Sequence, residues 1–588
     1  MLEALGPTTR DMEAHERWRV AASAMCHALG WTTAQPIVLP HASGTLLAFA
    51  APMGTLFTAT EVNEWAWEQA SGIFQPGFEP AIDPPFDRLH HLGANSSDVV
   101  ATFKARATAE ENAMLTALCA AAHEHGVPLY VDDESVSLGA GAHSQTWPLA
   151  ALPEAPNVEW SALRAIPTVL VTGSNGKTTT VRLLAALIAA SETRFEGHVG
   201  YSSTEGVVIG DARAGEGDFS GPAGARLVLR DQHVEAAVLE TARGGILRRG
   251  LAVDKADVAI VTNVSADHFG EYGINSLDDL ADVKLTVRYA LGTVGTLVLN
   301  ADDKVLLARA SSQVCKVALF ALDDSHPALV THRKNGGDTC GLADEQLVLS
   351  RGDERFKLGN YRDMPLTLNG AAMFNVANIA AAALAALALR ISPAVITEQL
   401  QCFGQSRLDN AGRLDHWKLA DITVVIDYAH NPDGLKLLLD GMEVIRRDHA
   451  AVAGNNGRIG LLLGQAGNRS DQAIIALARV AAVARPALIV VKEIPRMLRG
   501  RAAGEVTALL KEALLAAAYP AEQIRVEADE IDAASQLLQW AKAGDVVVLP
   551  IHQATARKSL AAMLDAMEKS GWRAGAPLPV ATLSPPSE

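Results

Sequence analysis

The sequence predicts an α/β protein built on parallel sheets with helices on both faces. Short runs of β-branched and aliphatic residues alternate with longer helix-forming segments, which is typical of parallel sheets. Several apolar runs end in a polar residue, where an open sheet of this kind places its ligands. A chain of 588 residues is too long for one core, so we expect three domains, at 1–165, 166–411 and 412–588.

Composition and charge exclude several functional classes. A net charge of −17 offers no basic stripe for a nucleic acid. The five scattered cysteines contain no C-x-x-C pair, which predicts reduced thiols in the cytoplasm rather than disulfides or a zinc site. There is no signal-peptide pattern at the start, and the longest apolar run, 379–389, is too short to cross a membrane. We expect a cytoplasmic protein without a membrane partner, in which this run is a buried alanine-rich helix.

The first domain is expected to be mixed α and β. Residues 61–68 and 110–125 have helical patterns, and 127–131 is a strand candidate. The acidic run 132–134 follows that strand. It could bind a metal or a cationic substrate, although a solvated turn is the commoner role of such a run.

A phosphate-binding loop is predicted where the strand candidate 168–172 meets a helix-forming run. The loop reads Gly173, Ser174, Asn175, Gly176, Lys177, Thr178, Thr179. Backbone N–H groups at such a turn bind an anion, Lys177 adds a positive charge, and the Thr178 hydroxyl can bind Mg²⁺. The strict Walker pattern needs a glycine at Val171 and fails there, so an ordinary strand-to-helix turn is the alternative.

Polar residues follow the next strand candidates of this central domain. The run 234–239 ends at Glu240, the run 258–262 leads through Asn263 to Asp267 and His268, and the run 296–299 ends at Asn300. The carboxyl ends of parallel strands share one edge of a sheet, so these side chains are candidate Mg²⁺ ligands beside the loop. A strand-end cap is the alternative for Glu240. Residues 333–368 are expected to form a small β excursion.

The third domain repeats the alternation of strand and helix. Its strand candidates are 423–427, 459–463, 487–491 and 545–549, which predicts a second, Rossmann-like α/β sheet.

Seven motifs in order resemble the Mur ligase superfamily, whose members are ATP-dependent and form an amide bond through an acyl phosphate. They are Gly173–Thr179, Glu240, the segment 262–268, the run 300–303, Asn375 with Asn378, the run 412–415, and the run 427–432. The runs 217–222, 227–231, 239–250 and 498–505 resemble in particular the Mur-like half of the cyanophycin synthetases. Only about 165 residues precede the loop and they contain no glycine-rich phosphate loop, so we expect no ATP-grasp domain.

The resemblance implies a role for each matching residue. Lys177 would bind the ATP phosphates, and Mg²⁺ would be held by Thr178, Glu240, His268 and a carbamylated Lys284. Asn300, Asn375 and Asn378 would lie near the adenine, and Arg413 and Asp427 would reach the nucleotide from the third domain. Ser174 and Phe374 depart from the usual residues of the superfamily, and a surface lysine is the alternative for Lys284.

The sequence therefore predicts an ATP- and Mg²⁺-dependent ligase that joins an amino acid to a small-molecule or peptide carboxylate. The first domain is the candidate site for the acceptor. Two alternatives are a nucleotide-binding scaffold or regulator that does not ligate, and a small-molecule kinase. The sequence leaves open whether the chain forms a homo-oligomer.

Overall fold

A computed structural model describes residues 2–5, 11–31, 35–41, 44–71, 96–191, 198–266, 269–453 and 456–579. The chain divides into two compact units. The first comprises residues 1–165 and 269–280, and the second comprises residues 166–268 and 281–588. Each unit is described by itself.

The first unit holds helices and two three-stranded antiparallel sheets, with orders β1-β3-β2 and β4-β5-β6. It is mixed α and β, as predicted. Its elements are β1 Leu2–Leu5, α1 Met12–Ala28, β2 Ile37–His41, β3 Gly44–Ala48, α2 Leu56–Ser71, α3 Ser96–Glu110, α4 Ala113–His125, β4 Leu129–Val131, β5 Ser135–Leu138 and β6 Gln145–Pro148.

The second unit begins with a sheet of eleven strands. The elements of this part are β7 Thr168–Thr172, α5 Lys177–Ala189, β8 His198–Ser203, β9 Gly206–Ile209, β10 Ala212–Glu216, α6 Pro222–Arg230, β11 Val234–Glu240, α7 Arg243–Arg249, β12 Val258–Val261, α8 Leu277–Lys284, β13 Thr296–Asn300, α9 Lys304–Ala310, β14 Lys316–Asp323, α10 Pro327–Lys334, β15 Asp338–Ala343, β16 Gln346–Arg351, β17 Glu354–Asn360, α11 Met373–Ala388 and α12 Pro393–Cys402. Helix α8 starts in the first unit and ends in the second.

The middle of this sheet is parallel and buried on both faces. The strand order is β10-β9-β8-β11-β7-β12-β13-β14-β15-β16-β17, parallel from β8 to β15 and antiparallel at each end. Val169 and Val171 of β7 pack with α5 and α11 in one core, while Leu170 between them is equally buried on the other face. Such two-sided burial is the reason parallel strands read as continuous apolar runs.

The predicted β excursion is present as β15 to β17, and it extends the main sheet. Helix α11 is the predicted alanine-rich helix, and it is almost wholly buried. Within the described residues, no helix is both long and apolar enough to span a bilayer.

The rest of the second unit is a six-stranded sheet, in the order β18-β19-β23-β20-β21-β22. Its strands are parallel except for β18. Alternate residues pack into two cores, one with α13 to α15 and the other with α16 and α17. The elements are β18 Asp415–Leu419, β19 Ile422–Asp427, α13 Pro432–Ala453, β20 Ile459–Leu463, α14 Asp471–Ala484, β21 Leu488–Lys492, α15 Glu505–Ala516, β22 Ile524–Glu527, α16 Glu530–Trp540, β23 Val546–Pro550 and α17 Ala554–Lys569.

A fully buried ion pair ties three elements of this sheet together. The Lys492 ammonium at the end of β21 donates to Glu530 at the start of α16 and to the carbonyl of Pro550 in β23. The Glu530 carboxylate also accepts the backbone N–H groups of His552, at 3.0 Å, and Gln553, at 3.1 Å. Burial lowers the pKa of Lys492, and the neighbouring Glu530 opposes this effect. Removing one partner would leave the other charge buried.

We expect Lys492→Met to destabilise strands β21 and β23 locally by about 3–5 kcal/mol, because it leaves the Glu530 carboxylate without its cation. Hydrogen exchange of the amides in these strands measures the loss. The exposed pair between Lys436 and Asp440 provides the control, and Lys436→Met should cost less than about 1 kcal/mol. The double variant Lys492→Met/Glu530→Gln should exchange more slowly than Lys492→Met, because Gln is neutral and keeps an oxygen for the N–H groups of His552 and Gln553. Equal exchange in Lys492→Met and the parent would refute this account.

Candidate functional site

The predicted phosphate loop depends on two glycines with left-handed backbone. Gly173 has φ +147° and Gly176 has φ +85°. A Cβ atom on Gly173 would lie 1.9 Å from Thr262 Oγ1, and one on Gly176 would lie 2.2 Å from Asn378 Oδ1. Any side chain at either position would therefore collide with a neighbouring element. At these two positions the loop backbone closely approaches Thr262, which follows β12, and Asn378 of α11.

The loop presents the start of α5 as an anion site. Within the described residues, no side chain caps α5, so its first N–H groups are left for a ligand. The Lys177 ammonium lies over the loop and donates to the Ser174 carbonyl at 3.2 Å. Partial positive charge at the helix start and the full charge of Lys177 favour phosphate at the same place.

Asn263, directly after β12, fixes the shape of the loop. Its Oδ1 accepts the N–H of Asn175 at 2.9 Å, and its Nδ2 donates to the carbonyl of Asn175 at 3.0 Å. The N–H of Ser174 donates to the backbone carbonyl of Asn263 at 3.0 Å. The Ser174 hydroxyl accepts the N–H of Ser265 at 3.0 Å, so this hydroxyl is used for loop geometry.

Thr178 and Glu240 form the part of the predicted Mg²⁺ site that the structure describes. The Thr178 hydroxyl donates to Glu240 Oε2 at 2.8 Å. Glu240 is 2% exposed, and its Oε1 has no hydrogen-bond partner among the described residues. A buried carboxylate oxygen without a partner is costly unless a cation binds it, so these two residues fit Mg²⁺.

Of the other two predicted ligands, Lys284 lies within the described residues and His268 does not. Lys284, at the end of α8, is 3% exposed, so it is not a surface lysine. Asp267 and His268 lie outside the described residues. Elsewhere in the described ranges, no three His, Cys, Asp or Glu side chains gather as a metal cluster would require.

The three asparagines predicted near the adenine all make internal hydrogen bonds. Asn300 donates to the carbonyl of Thr262 at 3.1 Å and accepts the N–H of Asp302 at 3.0 Å. Asn375 donates to the carbonyl of Leu366 at 2.8 Å and accepts from Asn378 at 3.0 Å. Asn378 also faces Gly176, because a Cβ atom there would meet its side chain. The adenine role of all three residues stays a prediction.

Arg413 lies in the segment that leads into β18, and its side chain approaches the phosphate loop. Its Nη2 lies 3.5 Å from Thr178 Oγ1 and 3.3 Å from the hydroxyl of Thr204. Its guanidinium stands 4.3 Å from the ring centre of Tyr428. Asp427, at the end of β19, accepts the N–H groups of Leu414 at 2.9 Å and Ala429 at 2.8 Å. Asp427 therefore holds the loop that carries Arg413, and burial raises the pKa of its carboxyl.

Sequence reasoning missed two buried arginines at this site. Arg182 of α5 donates to the carbonyl of Ala411 at 2.7 Å, and burial lowers its pKa. It is the one charged residue in the apolar run 181–188, a signal that could have identified it. Arg557 of α17 pairs with Glu205, and no local pattern in the sequence marks either residue.

Comparisons with known proteins match the same regions. Residues 171–386 match the Mur ligase middle domain, and residues 412–550 match the Mur ligase, glutamate ligase domain. The chain is homologous to cyanophycin synthetase of Synechocystis sp., with 35% identity over 386 residues, 66% of this chain and 42% of the relative. It therefore spans less than half the length of that relative.

Two further matches are a curated relative and a solved structure. UDP-N-acetylmuramoyl-L-alanyl-D-glutamate–2,6-diaminopimelate ligase of Gloeobacter violaceus is 29% identical over 390 residues, 64% of this chain and 70% of the relative. Among solved structures, E. coli FolC in complex with DHPP and ADP is 18% identical, with 68% of this chain and 89% of that chain covered and a TM-score of 0.48.

We expect Gly176→Ala to weaken nucleoside triphosphate binding about 10-fold or more, because the methyl group meets Asn378 and the residue must keep positive φ. Isothermal titration calorimetry measures the change. Gly504→Ala is the matched control, since Gly504 also precedes a helix at φ +83° but has nothing within 4 Å of its Cβ position. Equal affinities of the parent and Gly176→Ala would contradict the expectation.

The Asp415 carboxylate accepts the N–H of Gly412 at 2.7 Å. Burial raises the pKa of this carboxyl from 3.8 to about 6. The folded state therefore keeps the proton to higher pH than the unfolded state, and stability falls as pH rises from about 4 to 6. Asp415→Asn cannot ionise and keeps an oxygen for Gly412. Between pH 4 and pH 7, the free energy of unfolding of Asp415→Asn should rise by up to about 3 kcal/mol relative to that of the parent. Hydrogen exchange of the amides in β18 and β19 measures this difference. A difference that is independent of pH would contradict this.

Proposed function

Because the chain carries the middle domain and the C-terminal glutamate ligase domain of the Mur ligases, we propose that it is an ATP-dependent ligase. It would join an amino acid to a carboxylate acceptor through an acyl phosphate. The observation that carries the proposal is the position of Thr178, which follows Lys177, donates to Glu240 and lies 3.5 Å from Nη2 of Arg413. Such a site binds phosphate with groups from both parts of the second unit.

In this proposal, ATP lies with its phosphates on the N–H groups at the start of α5 and on the Lys177 ammonium. Mg²⁺ fits the Thr178 hydroxyl and Glu240 Oε1, which has no hydrogen-bond partner in the described part of the chain. Lys284 and His268 are the further proposed ligands. When bound, the metal neutralises charge on the phosphate oxygens. Asn300, Asn375 and Asn378 are proposed to border the adenine.

The residues of this chain would act by positioning and by charge. An acceptor carboxylate oxygen attacks the γ-phosphorus of ATP, and ADP leaves. Lys177 and Arg413 stabilise the negative charge on the phosphoryl group while it is transferred. The amine of an amino acid then attacks the acyl carbon, loses a proton and displaces phosphate. No protein nucleophile is needed. The contacts of Arg413, Asn431 and Asn410 with the loop would limit the access of water to the acyl phosphate.

We further propose the three domains at 1–165, 166–411 and 412–588, with the acceptor bound by the first. The resemblance to cyanophycin synthetases favours an aspartate-type or peptide carboxylate as the acceptor and a basic amino acid as the second substrate. These are proposals about a chain that covers 42% of that relative.

Lys177→Ala should lower ADP release about 100-fold or more, because the variant loses the cation that lies over the loop. The assay crosses carboxylate acceptors with amino acids, measures ADP and identifies the products by mass. Lys304→Ala is the control, since Lys304 is also the first residue of a helix, α9, but there Asp303 caps the helix. ADP release that needs no amino acid, or a phosphorylated product released intact, would favour a kinase. Tight ATP binding without turnover would favour a scaffold or regulator.

A further inference from the structure

The turn between β8 and β9 joins the phosphate loop to the six-stranded sheet. At this turn, the N–H of Thr204 lies 3.4 Å from Glu240 Oε2, and its hydroxyl lies 3.1 Å from the Thr178 hydroxyl. The next residue, Glu205, contacts Arg413, which precedes β18, and Arg557 of α17. One turn of two residues therefore contacts both halves of the candidate site.

Glu205 binds two guanidinium groups at once. Its Oε1 lies 3.3 Å from Arg413 Nη2, and its Oε2 accepts from Arg557 Nη2. All three side chains are at most 14% exposed. Charge-assisted hydrogen bonds at such low exposure are stronger and less screened than surface ion pairs.

Arg557 is held in place from several sides. Its Nη1 donates to the carbonyls of Ile551 at 3.0 Å and His552 at 2.9 Å. Its guanidinium lies 5.2 Å from the ring centre of Tyr428, the same ring that Arg413 approaches to 4.3 Å. Two cations at one ring repel each other, and the Glu205 carboxylate between them offsets this repulsion.

We propose that Glu205 and Arg557 are positioning residues of the ligase site. The Glu205 carboxylate, anchored by Arg557, holds the Arg413 guanidinium toward Thr178, so that Arg413 can meet the reacting phosphate. This inference rests on the proposed function. It adds that Glu205, in the β8–β9 turn, determines whether the Arg413 guanidinium is in place.

A nearby ion pair provides a matched control for a role that is only structural. Lys558, the residue after Arg557, pairs with Glu216 of β10 at 2.8 Å. This pair also joins α17 to the eleven-stranded sheet, but its side chains are 61% and 63% exposed. Exposed pairs contribute little to stability, and in the described part of the chain neither residue contacts Arg413.

The first experiment compares Glu205→Gln with Glu216→Gln. In Glu205→Gln we expect kcat for ADP release to fall about 10-fold or more, because Arg413 loses its charged partner. The dissociation constant for Mg-ADP should stay within about 2-fold, because Lys177 and Thr178 are unchanged. Glu216→Gln should match the parent in both. Arg557→Gln should lower kcat similarly, and the double variant Glu205→Gln/Arg557→Gln should be no worse than either single variant.

Parent-like kcat in Glu205→Gln overturns the proposal, and so does an equal loss in Glu216→Gln. If Glu205→Gln does not fold, Glu205→Asp keeps the charge at a shorter reach, and a partial loss of kcat with unchanged Mg-ADP affinity is then expected. A parent-like kcat in Glu205→Asp, with Arg557→Gln also active, would overturn the proposal in that case.

A second measurement separates this inference from the proposed function. Without substrates, amide hydrogen exchange at residues 411–414 should rise in Glu205→Gln and stay unchanged in Glu216→Gln. If the parent releases no ADP with any acceptor, the proposed function fails, while this exchange difference still tests the coupling. Unchanged exchange at 411–414 in Glu205→Gln refutes the positioning role, whatever the activity.

Discussion

The candidate site depends on the close approach of the loop backbone at Gly173 and Gly176 to Thr262 and Asn378. Strand β7 pairs in parallel with β11 and β12, so Val171 lies opposite Glu240 and Thr172 lies opposite Val261. This register brings the ends of three strands to one edge and leaves a short turn before α5. Val171 replaces the first glycine of the strict motif because it is a core residue of β7, fully buried against α5 and α11. The phosphate loop of this protein is therefore short and begins at Gly173.

The sequence predicted those features that follow from local patterns. Eight strand candidates of the two large sheets, the buried helix α11 and the resemblance to Mur ligases are confirmed, because apolar runs and ordered motifs are properties of short segments. The fold class is confirmed for the same reason. The sequence did not predict β8, β9, β10, β14, β18 or β22. Which strands pair at the sheet ends was not predictable: β15 to β17 could have formed a separate sheet. Their membership of the main sheet depends on the pairing of β15 with β14, a contact between distant residues.

The site residues that the sequence did not predict also depend on contacts between distant parts of the chain. Glu205 and Arg557 are 352 positions apart and meet through the packing of two sheets, which one sequence does not encode locally. Asp427 was predicted to reach the nucleotide, yet both of its oxygens accept backbone N–H groups in the structure. Burial raises the pKa of Asp427, and the Arg413 charge and the backbone N–H groups of Ala429, Leu414 and Tyr428 oppose that effect. Its observed contacts support the loop of Arg413, and contact with the nucleotide is untested.

Helix α5 connects the phosphate loop with the segment that leads into the six-stranded sheet. Its first residues, Lys177 and Thr178, belong to the loop. One residue further on, Thr179 accepts from Asn410 at 3.3 Å, and Arg182 donates to Ala411 at 2.7 Å. Gly412 follows with φ +76°, where the backbone turns toward Arg413. A shift of α5 on ligand binding would therefore be transmitted to residues 410–412 directly. Since Glu205 holds Arg413 from the opposite side, the arginine is positioned both through its own chain segment and through its side chain, and loss of either support should misplace its charge.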